Sequence, residues 1–191
     1  MSRFLTRNLL QIVALAIFTA ATGHARTLWH SVAQGSNLTI IARWESTPVP
    51  GQFKIFHVQL AMVHAVPRLL NVKVDIRSLQ FRSPLLAHAA RSRVWFDMRR
   101  FVQARFSSMR FKKTGTNGGY QALGVLELKG VSHPVSIRFH LIPAGPKQLE
   151  LAGKANVTRT DFDIGTGSWR TNSVIGMRVA IQFHVRLVQS P

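Results

Sequence analysis

Apolar residues recur at every second position over long stretches of this chain. Val72-Lys-Val-Asp-Ile-Arg77 alternates strictly, as does Val135-Ser-Ile-Arg-Phe-His-Leu141. The longest run, Met177-Arg-Val-Ala-Ile-Gln-Phe-His-Val-Arg-Leu187, is apolar at every odd position. A period of two puts alternate side chains on opposite faces of a strand, so these runs predict half-buried antiparallel strands. Further strands are predicted over 36–44, 52–63, 101–111, 119–129 and 149–158. Turn signals at Pro48–Gly51, Gly115–Gly119 and Pro143–Pro146 separate them, and Asn117-Gly118 between apolar runs is a strong hairpin signal. Pro84–Ala90 is the one convincing helix, with Ser83 as N-cap and Pro84 in the first turn. About eight strands with one or two short helices predict an all-β fold, an antiparallel sandwich or a closed barrel.

The alternation also assigns faces. On one phase fall Phe53, Ile55, Val72, Val74, Ile76, Phe106, Leu126, Leu128, Ile137, Phe139, Val179, Ile181, Phe183 and Val185. In a small barrel such side chains either fill the interior or line a ligand cavity, and the pattern alone favours a filled interior. The phase assignment predicts that Phe183→Asp abolishes folding or ligand binding while His184→Asp is tolerated.

The first residues follow a different pattern. Arg3 and Arg7 precede an apolar stretch from Leu9 to Thr22, and Gly23-His24-Ala25 offers small residues for a cut after Ala25. The stretch is shorter than the roughly 20 residues a membrane span needs. Residues 1–25 therefore read as a secretory signal peptide and 26–191 as one exported domain. The chain has no cysteine, so neither disulfides nor thiol chemistry contribute.

The formal net charge is +18, and removing Arg3 and Arg7 leaves 23 Lys and Arg against 7 Asp and Glu, or +16. Outward positions on the predicted strands carry Lys73, Arg77, Arg105, Lys129, Arg138, Arg178 and Arg186. Arg91, Arg93, Arg99 and Arg100 gather after the helix. Such a surface is either generally solvated or docks on anionic phospholipid headgroups. Nucleic acid is not expected, because the four tryptophans are not interleaved with basic residues on one strand.

Catalytic patterns are missing from the sequence. There is no G-x-S-x-G elbow, no H-x-H and no H-E-x-x-H. His140 and His184 fall on polar phases and are candidate neighbours on the outer face, too few for a metal site. Asp161 and Asp163 lie beside Arg159, an arrangement that predicts a structural ion pair. No enzyme activity, metal or cofactor is expected.

Four segments resemble the YceI-like family of exported lipid-binding proteins. They are Val49-Pro-Gly-Gln-Phe53; Ser92-Arg-Val-Trp-Phe-Asp97 followed by Ala104-Arg-Phe-Ser-Ser108; Gly124-Val-Leu-Glu-Leu-Lys-Gly-Val-Ser-His-Pro-Val135; and Arg159-Thr-Asp-Phe-Asp-Ile-Gly165. Asp163 stands where the family usually has glycine, and Gly35–Ile41 matches its early strand only loosely. The resemblance implies a lipocalin-like antiparallel barrel holding a long-chain isoprenoid, such as a quinone or polyprenol, in an apolar interior. On that reading the lipid-binding residues are Phe53, Ile55, Val74, Ile76, Phe106, Leu126, Leu128, Ile137, Phe139, Val179, Ile181 and Phe183. The alternative is an exported interaction protein with a filled core, whose basic surface binds anionic lipid or an acidic partner.

Overall fold

The computed structural model describes residues 26–115, 117–171 and 174–191, so the predicted signal peptide, residues 1–25, lies outside the described residues. Ten strands are described: β1 (Arg26–Trp44), β2 (Thr47–Phe53), β3 (Phe56–Val63), β4 (Val66–Asp75), β5 (Leu79–Phe81), β6 (Gln103–Lys113), β7 (Gly119–Leu128), β8 (Val131–Gly145), β9 (Gln148–Thr158) and β10 (Arg178–Gln189). One α-helix, α1 (Pro84–Arg91), follows β5. Ser83 Oγ accepts the Leu86 N–H at 3.4 Å and Pro84 occupies the first turn, as the sequence predicts.

All strand pairings are antiparallel. The sheet runs β10-β9-β8-β7-β6-β4-β3-β1, and β1 pairs back onto β10. Eight strands therefore close a barrel, which leaves no free edge among them. The predicted all-β, lipocalin-like antiparallel barrel is the fold observed.

β1 serves two neighbours on its other side. Arg26–His30 pair with β3, whereas Leu38–Trp44 pair with β2, which in turn pairs with β5. Its register against β10 slips between Val32 and Asn37, where Gly35 takes φ +76. β2 and β3 run in the same direction along β1, so the predicted strand 52–63 is one path interrupted at Lys54-Ile55. That interruption shifts the phase. Buried positions are Gly51 and Phe53 before it, and Val58 and Leu60 after it.

The phase shift corrects one predicted site residue. Ile55 sits on the interruption and is 52% exposed, outside the barrel. The Pro48–Gly51 turn is also corrected, because these residues lie inside β2. Both prolines pair with β1, Pro48 with Arg43 and Pro50 with Ile41, and β5 joins only from Gly51. The actual β1–β2 turn is Glu45-Ser46, with Glu45 at φ 54. Asn117-Gly118 does lie in the β6–β7 connection, where Gly118 has φ +67. In the predicted Pro143–Pro146 turn, β8 extends to Gly145 and the connection is Pro146-Lys147.

The strand directions define two ends. The β3–β4, β6–β7 and β8–β9 connections lie at one end. At the other lie the β1–β2 and β7–β8 turns, β5, α1 and the segment between β9 and β10. The first end is solid: Leu60, Met62, Tyr120, Phe139 and Leu187 are buried there. Tyr120 stacks on Phe139 with ring centroids 5.8 Å apart, and Phe111 meets Phe139 edge-on at 6.4 Å.

Candidate functional site: an apolar cavity open at one end of the barrel

The other end is hollow. A cavity of about 410 Å³ occupies it, within the roughly 300–1,000 Å³ typical of ligand sites. Of the predicted residues, Phe53, Val74, Ile76, Phe106, Leu126, Leu128, Ile137, Val179, Ile181 and Phe183 line it. Ile55 does not, for the reason given above. Neither does Phe139, which points inward as predicted but is consumed by the aromatic plug at the solid end. The period-two alternation fixes which face a side chain takes, not how far along the barrel axis empty space begins.

Among the described residues the wall carries no hydroxyl, amide, carboxylate or imidazole side chain. Its exceptions to hydrocarbon and indole are Arg43, Arg105 and Arg159. Arg105 turns its guanidinium outward, where Nε donates to Gln103 Oε1 at 2.6 Å. Arg43 sits near the opening and donates to Ser46 O at 2.8 Å.

Arg159 is 2% exposed and makes the frame of the opening. Its guanidinium donates to the carbonyls of Ile164 (2.9 Å), Gly165 (3.1 Å), Trp169, Thr171 (2.9 Å), Ile175 (3.0 Å) and Gly176 (3.2 Å). This corrects the predicted ion pair with Asp161 or Asp163: six carbonyl dipoles, not a carboxylate, satisfy the buried cation. Burial lowers the Arg159 pKa, and the carbonyls keep the charged form bound. The ring of Trp95 lies 5.7 Å from the guanidinium carbon, adding a cation–π contact.

A second basic group staples the same loop from outside. Lys129, predicted on the solvated face, donates from Nζ to Asp163 O at 2.7 Å and Val94 O at 3.4 Å. Burial lowers its pKa, partly offset by Asp163 and Asp97. The Gly165 N–H also donates to Val94 O at 2.9 Å. Asp163 itself has φ 53 and ψ 29, the left-handed region that explains a glycine preference at this position and that aspartate tolerates. Its carboxylate lies 4.0 Å from Arg170.

Several wall residues escaped the sequence reading. Leu38, Ile40 and Ala42 come from β1, and Leu85, Leu86, Ala89 and Ala90 from α1. Phe81, Phe96, Trp95, Phe162 and Trp169 come from irregular segments or short elements. Trp95 and Trp169 contact each other with centroids 5.9 Å apart. The signal available was an excess of large aromatics in segments with no strand period, which loops need only when they cover something apolar.

The outer wall is polar. Lys112, Gln121, Arg138, Lys154 and Gln182 are successive cross-strand partners in one row across β6 to β10. Arg138 and Lys154 face each other directly, as do Lys73 and Arg105. An apolar inside with a charged outside is the reverse of a membrane-spanning barrel. His140 and His184 each pair with Ala152 from opposite sides of β9, so they are two strands apart and not neighbours. His184 Nε2 instead lies 3.2 Å from Glu150 Oε2. Among the described residues no group of three or more His, Asp or Glu is placed to hold a metal ion.

Comparison with known proteins bears on this arrangement. The model of the YceI-like domain matches residues 29–187. BcnA of Burkholderia cenocepacia superposes with a TM-score of 0.76 at 24% identity, covering 82% of this chain and 98% of that one. A polyisoprenoid binding domain from Saccharophagus degradans gives a TM-score of 0.67 at 11% identity, covering 85% and 98%. The Campylobacter jejuni YCEI protein gives 0.59 at 17% identity, covering 74% and 84%. No curated protein matches the chain in sequence. With the family model spanning every strand of the barrel and solved structures sharing its fold, the chain belongs to the YceI-like family.

Proposed function

We propose that this protein binds a long apolar lipid, an isoprenoid such as a quinone or polyprenol, in the hollow end of its barrel. The observation that carries the reading is the cavity itself: about 410 Å³, lined among the described residues by hydrocarbon and indole apart from Arg43, Arg105 and Arg159. A hydrocarbon tail loses nothing in such a site, whereas a polar molecule would leave its donors and acceptors unpaired. Each buried methylene contributes about 0.8 kcal/mol, so a few isoprene units are enough for micromolar affinity after immobilisation is subtracted. The name of the Saccharophagus degradans domain, a polyisoprenoid binding domain, points the same way.

The protein acts as a carrier or store in this reading, not as a catalyst, because among the described residues the wall offers no nucleophile and no acid or base pair. Export to the periplasm by residues 1–25 is part of the proposal, supported by the apolar stretch after Arg3 and Arg7. A wholly filled core, the alternative raised by the strand pattern, is not what the hollow end shows. Organic extraction of protein purified from a bacterial periplasm, followed by mass spectrometry, tests the reading. A stoichiometric isoprenoid is the expected result. An empty extract from folded protein, with no uptake of added polyprenol, would overturn it.

A further inference from the structure

We infer that the rim of the cavity docks on an anionic phospholipid bilayer, with Leu85, Trp44 and Trp169 entering the interfacial layer and neighbouring arginines meeting lipid phosphate. The inference rests on the cavity being a lipid site. It also places the opening against the membrane, so that a hydrocarbon tail passes between bilayer and barrel without crossing water.

The three apolar side chains both line the cavity and face solvent. Leu85 is 74% exposed, Trp44 38% and Trp169 36%. They come from three segments, α1, the end of β1 and the stretch after β9, and converge on one opening. Solvated apolar groups gathered around a cavity mark a contact surface more often than scattered ones do. Indole rings in particular favour the membrane interface, with the ring in the apolar layer and the N–H in the wet one.

The two indoles stand on a braced frame. The Glu45 N–H donates to Val174 O at 2.6 Å, and the Gly176 N–H to Arg43 O at 2.9 Å. Trp44 and Ile175 form a β-bridge. Arg159 holds the carbonyls of Trp169, Thr171 and Ile175 from beneath. Docking on a braced rim costs less conformational entropy than docking on loose side chains.

The charge fits the same partner. Arg43 and Arg170 adjoin Trp44 and Trp169 in sequence, and Arg82 and Arg91 bracket α1. A helix of eight residues spans only about 12 Å, so these arginines lie close to Leu85. The carboxylates of this end are Glu45 in the β1–β2 turn, Asp75 paired with Arg77, Asp97, Glu127, Asp161, and Asp163 at 4.0 Å from Arg170; against them stand Arg43, Arg82, Arg91, Arg93, Arg99, Arg100, Arg105, Lys129, Arg170 and Arg178. The cations are in excess, and anionic headgroups complement them. The outer-wall row through Arg138 and Lys154 is the competing surface. It is charged, but Gln121 and Gln182 flank it where an inserting apolar residue would be needed.

The experiment uses the full chain and vesicles of phosphatidylglycerol with phosphatidylcholine, brominated on the acyl chains to quench nearby indoles. Quenching is expected, and it should fall sharply in the Trp44→Phe/Trp169→Phe variant, leaving at most the share of Trp95, which lines the cavity beside Trp169. Leu85→Asp should weaken vesicle binding about tenfold or more, and Arg138→Gln/Lys154→Gln should bind like the parent. Docking at the rim is overturned if the parent ignores these vesicles or if quenching persists undiminished without Trp44 and Trp169. It is also overturned if the wall variant loses binding while Leu85→Asp keeps it. Lipid extraction of the same preparations separates the two readings. Rim-dependent quenching by a protein that never yields lipid sinks the lipid site and leaves docking. Recovered lipid with rim-independent quenching does the reverse.

Discussion

The solid and hollow ends of this barrel are built from the same strands with the same alternation, yet they do opposite things with their inward side chains. At the solid end the inward positions of β3, β7, β8 and β10 carry Leu60, Met62, Tyr120, Phe139 and Leu187, which meet across the axis. At the hollow end the inward positions carry branched aliphatics such as Val72, Val74 and Ile181, with Ala42, Ala104 and Ala155 between them. The circumference differs too. Next to β1 at the solid end is β3, but at the hollow end β2 and β5 are added beside it, with α1 close by. Small side chains on a wider ring leave space, and large rings on a narrower one leave none.

Gly153 marks the boundary. It pairs with Phe139 on one side and Phe183 on the other, one ring in the plug and one on the cavity wall. A Cβ at Gly153 would run into the Phe183 ring, the Phe139 Cβ and the Arg138 carbonyl oxygen. The lesson is that stability and binding are partly separated along one axis. A substitution should reveal by its effects which end it belongs to.

The largest expected effect lies in the plug. Phe139→Ala removes the ring shared by Tyr120 and Phe111 and should cost about 3–5 kcal/mol in chemical denaturation. Lipid recovered per folded molecule should not change. A matching loss of lipid would break the separation of the two ends.

Next comes the frame of the opening. Arg159→Lys keeps the charge but offers three donors for six carbonyls, and should destabilise the protein by about 2–3 kcal/mol. Hydrogen exchange should rise over Ile164–Gly176 and stay unchanged at Tyr120. Exchange that rises equally at both positions would show that the frame is not a local device.

A cavity-filling change should show the opposite profile to Phe139→Ala. Leu126→Trp places a ring in the hollow and should alter stability by less than about 1.5 kcal/mol, because space is there to receive it. Extractable lipid should fall sharply. Undiminished lipid would place the occupied volume away from β7.

The smallest effect concerns a surface pair at the hollow end. Asp75 accepts from Arg77 Nη2 at 2.8 Å and Nε at 3.0 Å, and the Arg77 side chain holds its carboxyl below the ordinary 3.8. A depressed folded-state pKa means the contribution is present above about 3.8 and is lost as pH falls through the lower folded value. The pair is solvated, so the gain is slight. Asp75→Asn should therefore melt slightly below the parent at pH 7 and together with it under strongly acid conditions. A gap that widened on acidification would reverse the sign.

The His184→Asp control suggested by strand phase now needs replacing. Glu150 lies 3.2 Å from His184, so an aspartate there would set two carboxylates together. His184→Gln keeps the outer face neutral and remains the proper counterpart to Phe183→Asp.

The sequence by itself determined most of the barrel strands, their faces and the part of the cavity wall that their inward phase supplies. Each of those is a local property: a period of two is set by the backbone of a single strand, and burial of one face follows. Hence Phe106, Leu126, Ile137, Ile181 and Phe183 were legible as inward residues before any partner strand was known. Three things needed the tertiary structure. Ile55 left the barrel because one interruption in β2–β3 reversed the phase, and no local pattern signals a reversal that depends on how β1 shares its neighbours. Arg159 took carbonyls where Asp161 and Asp163 stood nearby, because Ile164, Gly165, Trp169, Thr171, Ile175 and Gly176 turn their carbonyls onto it, an arrangement no residue pattern announces. The hollow itself was decided last of all. Whether inward side chains meet or leave a gap depends on how strands are added around the ring, and a volume enclosed by ten strands and a helix belongs to none of them singly.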